Sequence, residues 1–153
     1  MNPNQKGARR NPRGVRLWTH TRALASLPYV AGIVRSLREH WLEVRQHRRQ
    51  AHQLAKQPGR PDRKALLAHQ ECLDAAHRAE IRHDDALKEL RSLGITSLDP
   101  IRGQVLFPFL HRKKLAWFLF DLFDETPLRF WRYQDEPVDV RRPINASEGT
   151  ELA

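Results

Sequence analysis

Glu80 and His83 stand three residues apart in a stretch with helical spacing, so both side chains fall on one helix face. Di-metal carboxylate bundles present their ligands this way, from two such Glu-x-x-His pairs and two further carboxylates. This chain offers one pair, with Asp84 beside it, so Glu80 and His83 are a candidate metal pair set against the plainer reading of a solvated charged face. The remaining histidines, His20, His40, His47, His52, His69, His77 and His111, form no His-Glu-x-x-His motif of the zinc proteases. Cys72 is the lone cysteine, which rules out an internal disulfide and a cysteine-based zinc cluster and fits a reducing cytoplasm. The adjacent acids Asp84–Asp85, Asp124–Glu125 and Asp135–Glu136 diverge on any helix or strand and make no acid–base pair. No glycine-rich phosphate loop and no nucleophile–base order is present. No catalytic residue, cofactor or small-molecule substrate is therefore assigned, and the reading leans away from an enzyme.

Charge supports a different chemistry. The net charge is +9, and Lys6, Arg9, Arg10, Arg13 and Arg16 carry about half of it in a leading segment without acids. A basic arm of this kind tethers polyanions or is a plain solvated leader. Arg45, Arg48 and Arg49 continue the theme on a helical stretch, where Arg35, Arg38 and Lys56 join them against Glu39 and Glu43. A face like that rides on phosphates, with binding that weakens as salt rises. The competing reading pairs these cations with Asp74, Glu80, Asp84, Asp85 or Glu89 on a facing helix. Trp117, Phe118, Phe120, Trp131 and Tyr133 beside Arg129 and Arg132 resemble a base-stacking platform, but the glycine-rich aromatic motif of RNA-recognition strands is missing and core packing is favoured.

These residues need elements to hold them. Residues 1–14 lack an apolar period and are expected to be a disordered arm, as are 145–153 at the other end. The segment "VRLWT" reads as a short strand, and Thr19 as a helix N-cap. Pro28 lacks an N–H, so a short helix over 20–27 is expected to break there and feed a long one from Pro28 to about Gln57. That helix carries Val30, Val34, Leu37, Trp41, Val44, Arg48, Ala51 and Ala55 at alternating spacings of four and three, a coiled-coil-like seam that thins toward its far end. The run "QPGRPD" enforces a turn, and a second helix, with Leu66, Leu73, Ala76, Ile81, Leu87 and Leu90 as its apolar set, closes at Gly94. A hairpin over 28–93 with a projecting tip results.

Of the 12 aromatic residues, nine fall between Phe107 and Tyr133, which locates the core. The stretch "VLFPFLHRKKLAWFLFDLF" reads as two strands joined at Lys113 and Lys114, and "LRFWRY" adds a third, with "ITSLD" as a possible fourth. The expected fold is thus α+β, a long antiparallel helical hairpin on a small antiparallel meander over 95–133, in a single unit spanning 15–144. One hairpin covers one sheet face, so a homodimer or protein partner is expected over the other. The uncharged run over 23–34 is 12 residues, short of the roughly 20 a membrane helix needs, so no membrane partner is expected.

The motifs "LWTHTRALASLPYVAGIVRSLRE", "LGITSLDPIRGQVLFPF" and "LRFWRYQDEPVDVRRPI" resemble the bacterial domain-of-unknown-function 2203 family over about Arg16 to Ile144. Thr19, Pro28, Asp99, Gly103, Phe107, Pro108, Trp131 and Arg142 match its landmarks, together with Ala23, Leu27, Gly94, Val105 and Pro143. The resemblance implies an intracellular bacterial protein without an assigned activity. It also marks departures: two acids are expected where Thr21 and Arg22 stand, an aspartate at Leu106, Cys-Trp at Leu119 and Phe120, Gly-Glu at Phe123 and Asp124, and a histidine at Arg132. The functional expectation is a non-enzymatic protein-interaction module. The alternative is a nucleic-acid- or ribosome-associated accessory using Arg9, Arg10, Arg13, Arg16, Arg45, Arg48 and Arg49.

Overall fold

A computed structural model describes residues 16–144. The arm over 1–14, with Arg9, Arg10 and Arg13, and the tail over 145–153 lie outside the described residues. Two helices, α1 (His20–Ala55) and α2 (Arg63–Ser92), precede β1 (Thr96–Asp99), β2 (Gln104–His111), β3 (Lys114–Asp121), β4 (Leu128–Tyr133) and β5 (Arg142–Pro143). The strands form one antiparallel sheet in chain order, and the fold is α+β.

The helix ends follow local chemistry. Thr19 Oγ1 accepts from Arg22 N–H at 3.2 Å, and Asp62 Oδ1 accepts from Ala65 N–H at 2.8 Å. At the far end of α2, Ile95 N–H donates to Leu90 C=O and Gly94 N–H to Arg91 C=O, with Gly94 at φ +76, the Schellman arrangement. The expected break at Pro28 does not occur; α1 runs through it. The bond that proline forfeits belongs to the carbonyl of Leu24, and both Leu24 and Pro28 sit on the exposed side, where water takes the place of the missing donor. The "VRLWT" strand reduces to a single bridge at Arg16, followed by Trp18 N–H donating to Pro108 C=O at 2.7 Å.

Of the expected seam on α1, Val30, Val34, Leu37, Val44 and Ala51 are buried and Trp41 is half-buried, while Arg48 and Ala55 are exposed; α2 departs further. There Ala76, Ala79, Ala86 and Leu90 face inward, while Leu66, Leu73 and Ile81 are exposed. Alanines let the two backbones approach closely, so the contact line follows the small residues and not the large ones.

The sheet turns one face to the helices. Phe107, Phe109, Phe118 and Phe120 are essentially fully buried, and the Phe109 and Phe118 rings stack at 3.8 Å. Each large apolar side chain buried this way contributes about 1.5–3 kcal/mol. The core cluster takes residues from α1 only as far as Leu37, and from α2 only from Ala86 onward. Past Leu37, Arg38 still reaches Ile101 C=O and Trp41 still borders Ser97 and Pro100, but the 14 residues of α1 from Leu42 to Ala55, roughly 21 Å of helix, lie outside the core cluster, so the hairpin stands off the sheet.

β2 and β3 join through a two-residue turn at Arg112 (φ 48) and Lys113 (φ 66). Two positive φ values are what a right-twisted hairpin requires, although both residues carry side chains that disfavour them. The C-terminal segment is not an open tail, because β5 pairs with β4 and Arg142 donates to both Glu136 carboxylate oxygens at 2.8 and 2.9 Å. The Arg142 hydrogen bonds, and after them the N–H of Tyr133, hold the Glu136 carboxyl below the ordinary carboxylate range. A depressed carboxylate adds stability above its unfolded pKa and loses it as pH falls through the folded one. The Tm advantage of the wild type over Glu136→Gln is accordingly constant above about pH 5 and shrinks steadily below about pH 4, as thermal melts across a pH series will read.

Candidate nucleic-acid interface and adjoining cavities

The far half of the hairpin is strongly basic. Over residues 45–64 stand Arg45, Arg48, Arg49, Lys56, Arg60, Arg63 and Lys64, all exposed, against the single acid Asp62, whose carboxylate caps α2. Among the described residues only Arg48 of these seven has an ion-pair partner, Glu80 at 2.7 Å. Cross-helix pairing therefore accounts for Arg48 and leaves Arg45 and Arg49 to solvent. A second bridge runs the other way, from Arg82 on α2 to Glu43 on α1 at 3.0 Å. The turn borders a concavity of about 410 Å³ whose lining includes Leu54, Leu66, Arg60 and His69. Sequence reading singled out Arg45, Arg48 and Arg49 and passed over Arg60, Arg63 and Lys64, although "GRPDRK" carries the signal.

Arg16 does not belong with that group. Its guanidinium lies over the Trp18 ring and reaches Ser92 C=O at 3.5 Å, at the sheet end of the hairpin. Arg45 is 25 residues along α1 from His20, a separation of roughly 38 Å. Arg38 likewise serves the fold, donating to Ile101 C=O at 2.8 Å with Phe123 beneath its guanidinium.

Glu80 and His83 are engaged separately. Glu80 holds Arg48, while the His83 ring lies 5.1 Å from Trp41 and its Nδ1 meets Asp84 Oδ1 at 3.1 Å. Among the described residues no three His, Cys, Asp or Glu side chains gather as a metal site. Cys72 is half-buried, with its Sγ 3.9 Å from Gln50 Oε1.

The landmark positions build the scaffold. Thr19 caps α1, and Phe107 is in the core with Trp18 edge-on at 5.0 Å. Pro108 C=O accepts from Trp18, and Pro28 lies within α1. Asp99 Oδ1 accepts from the N–H groups of Ile101 and Arg102, which closes the turn into β2. Gly103, at φ +65, ends that turn where an added Cβ would meet Leu122 Cβ at 2.7 Å. Trp131 is buried against Phe109 and His111, with Arg142 over its ring.

Three of the departures converge. Leu106 pairs with Leu119 across β2–β3, and Arg132 pairs with Trp117, so positions 106, 119 and 132 share the sheet face turned away from the core cluster. Where the family resemblance leads one to expect aspartate, cysteine and histidine, this chain sets two buried leucines and an arginine whose Nη1 donates to the carbonyls of Tyr133 and Glu136.

At the foot of the hairpin a second cavity, about 280 Å³, is lined by Trp41, His83, Leu87, Arg91, Thr96, Ser97 and Pro100. Trp41 comes from α1, His83, Leu87 and Arg91 from α2, and Thr96, Ser97 and Pro100 from β1 and the turn that follows it.

No helix among the described residues is long and apolar enough to cross a membrane. No curated protein and no solved structure matches the chain. Residues 16–144, which carry the helical hairpin and the whole sheet, match the family described as "Uncharacterized conserved protein (DUF2203)", and the chain belongs to that family.

Proposed function

We propose that the chain is a non-enzymatic interaction module whose projecting hairpin seats its tip on the phosphate backbone of a nucleic acid. The observation that supports this reading is the imbalance over residues 45–64: seven exposed cations, one acid already used as a helix cap, and one internal ion pair. Unpaired cations on a narrow protrusion displace counterions from a phosphate backbone without first breaking internal bridges. The sheet holds the base of the hairpin, and the tip reaches outward from it.

Filter binding or fluorescence anisotropy with a short RNA or DNA duplex tests it. Contact with about four phosphates gives a log–log salt slope near −4 and a loss of roughly a hundredfold in affinity between 50 and 200 mM salt. Replacing Arg49, Arg60 and Lys64 by Gln lowers that slope by about three and leaves the circular dichroism spectrum unchanged. Retention indifferent to salt, or equal in the triple variant, contradicts the reading.

A second reading concerns self-association. Leu66, Leu73 and Ile81 are 57%, 41% and 48% exposed and lie within one sector of α2, away from the alanines that face α1. Such a stripe suits α2 of a second copy packed alongside. Sedimentation velocity is expected to give a dimer, and Leu73→Glu combined with Ile81→Glu a folded monomer. A wild-type monomer at every concentration disproves it.

A further inference from the structure

The cavity at the foot of the hairpin has a two-sided character. Trp41 and Leu87 form an apolar wall, while Arg91 and Ser97 supply a cation and a hydroxyl; Thr96, opposite Leu106 on β2, turns its side chain to the other sheet face. Among the described residues neither the Arg91 nor the Ser97 side chain has a hydrogen-bond or ion-pair partner. No carboxylate lines the cavity. Asp84 meets His83 Nδ1 at 3.1 Å with its own side chain 59% exposed.

The walls are fixed before any ligand arrives. Asp99 locks the turn that carries Pro100 through two backbone N–H groups, Arg38 ties that turn to α1 through Ile101 C=O, and β1 is paired with β2. The His83 ring lies 5.1 Å from that of Trp41 within the same lining. A concave, partly apolar surface with a cation and a hydroxyl among its lining is the general signature of a small-ligand site.

We infer that this cavity binds a small oxyanion attached to a flat ring, an aryl or heteroaryl phosphate monoester, with the anion on Arg91 and Ser97 and the ring against Trp41 and Leu87. A guanidinium beside a hydroxyl matches the forked acceptors of a phosphate. The volume of about 280 Å³ lies just below the usual range for ligand sites, which fits one ring and excludes a dinucleotide. The site is independent of the basic tip, because its residues stand at the opposite end of the hairpin.

The test is a titration of the isotope-labelled full chain with phenyl phosphate, inorganic phosphate and phenol in turn, followed by NMR. Phenyl phosphate is expected to shift the Trp41 indole and the Thr96 and Ser97 amide signals saturably, and to bind more tightly than either fragment. Arg91→Gln weakens that binding by about tenfold or more, the usual consequence of losing a charge-assisted hydrogen bond. Arg49→Gln, at the tip, leaves it unchanged. Should Arg91→Gln fold poorly, Ser97→Ala is read in its place, with weakening again expected. Absence of saturation in the millimolar range, equal affinity in the cavity variants, or shifts centred on residues 45–64 overturns the inference.

Discussion

Trp18 ties the fold together. Its ring meets Phe107 edge-on at 5.0 Å, its indole N–H donates to Leu93 C=O at 3.0 Å, and its backbone N–H donates to Pro108 C=O at 2.7 Å. One buried residue thereby joins the start of α1, the end of α2 and the second strand. The Leu93 carbonyl is a helix-terminal acceptor without an intrahelical donor, and leaving such a group buried and unpaired costs about 1–3 kcal/mol. The aromatic sheet face and the hairpin base are both placed by this junction.

Anchoring at one end has a consequence for the other. Large side chains, Val30, Ile33, Val34 and Leu37, meet Phe118 and Phe120 near the sheet, whereas Ala51 and Ala76 mark the seam further out. Burial per residue falls along the arm as its positive charge grows. Stability and candidate contact surface thus occupy opposite ends of one element, so charge can accumulate at the tip without lying against the core. The cavity beside Trp41 and Arg91 falls at the boundary, where the helices leave the sheet.

Much of this was legible in the sequence. The aromatic clustering gave the meander, "HRKK" its hairpin turn, "QPGRPD" the helix break and Gly94 the end of α2. Pro28 misled, because proline forbids a bond but not a helix when the orphaned carbonyl faces water. The second helix misled for another reason: apolar periodicity favoured Leu66, Leu73 and Ile81, while close packing selected Ala76, Ala79 and Ala86. β5 spans two residues and has no pattern to read; its placement depends on Arg142 finding Glu136. The cavity was invisible because Trp41, Arg91 and Ser97 become neighbours only once Arg38 and Asp99 have docked the turn before β2.

Native-state hydrogen exchange measures the anchoring directly, since local opening reports how strongly each segment is held. A hairpin fixed by Trp18 and the sheet predicts strong protection at residues 23–37 and 86–90, decreasing steadily to rapid exchange between Ala51 and Ala65. Uniform protection along both helices, or protection greatest at the tip, would contradict it.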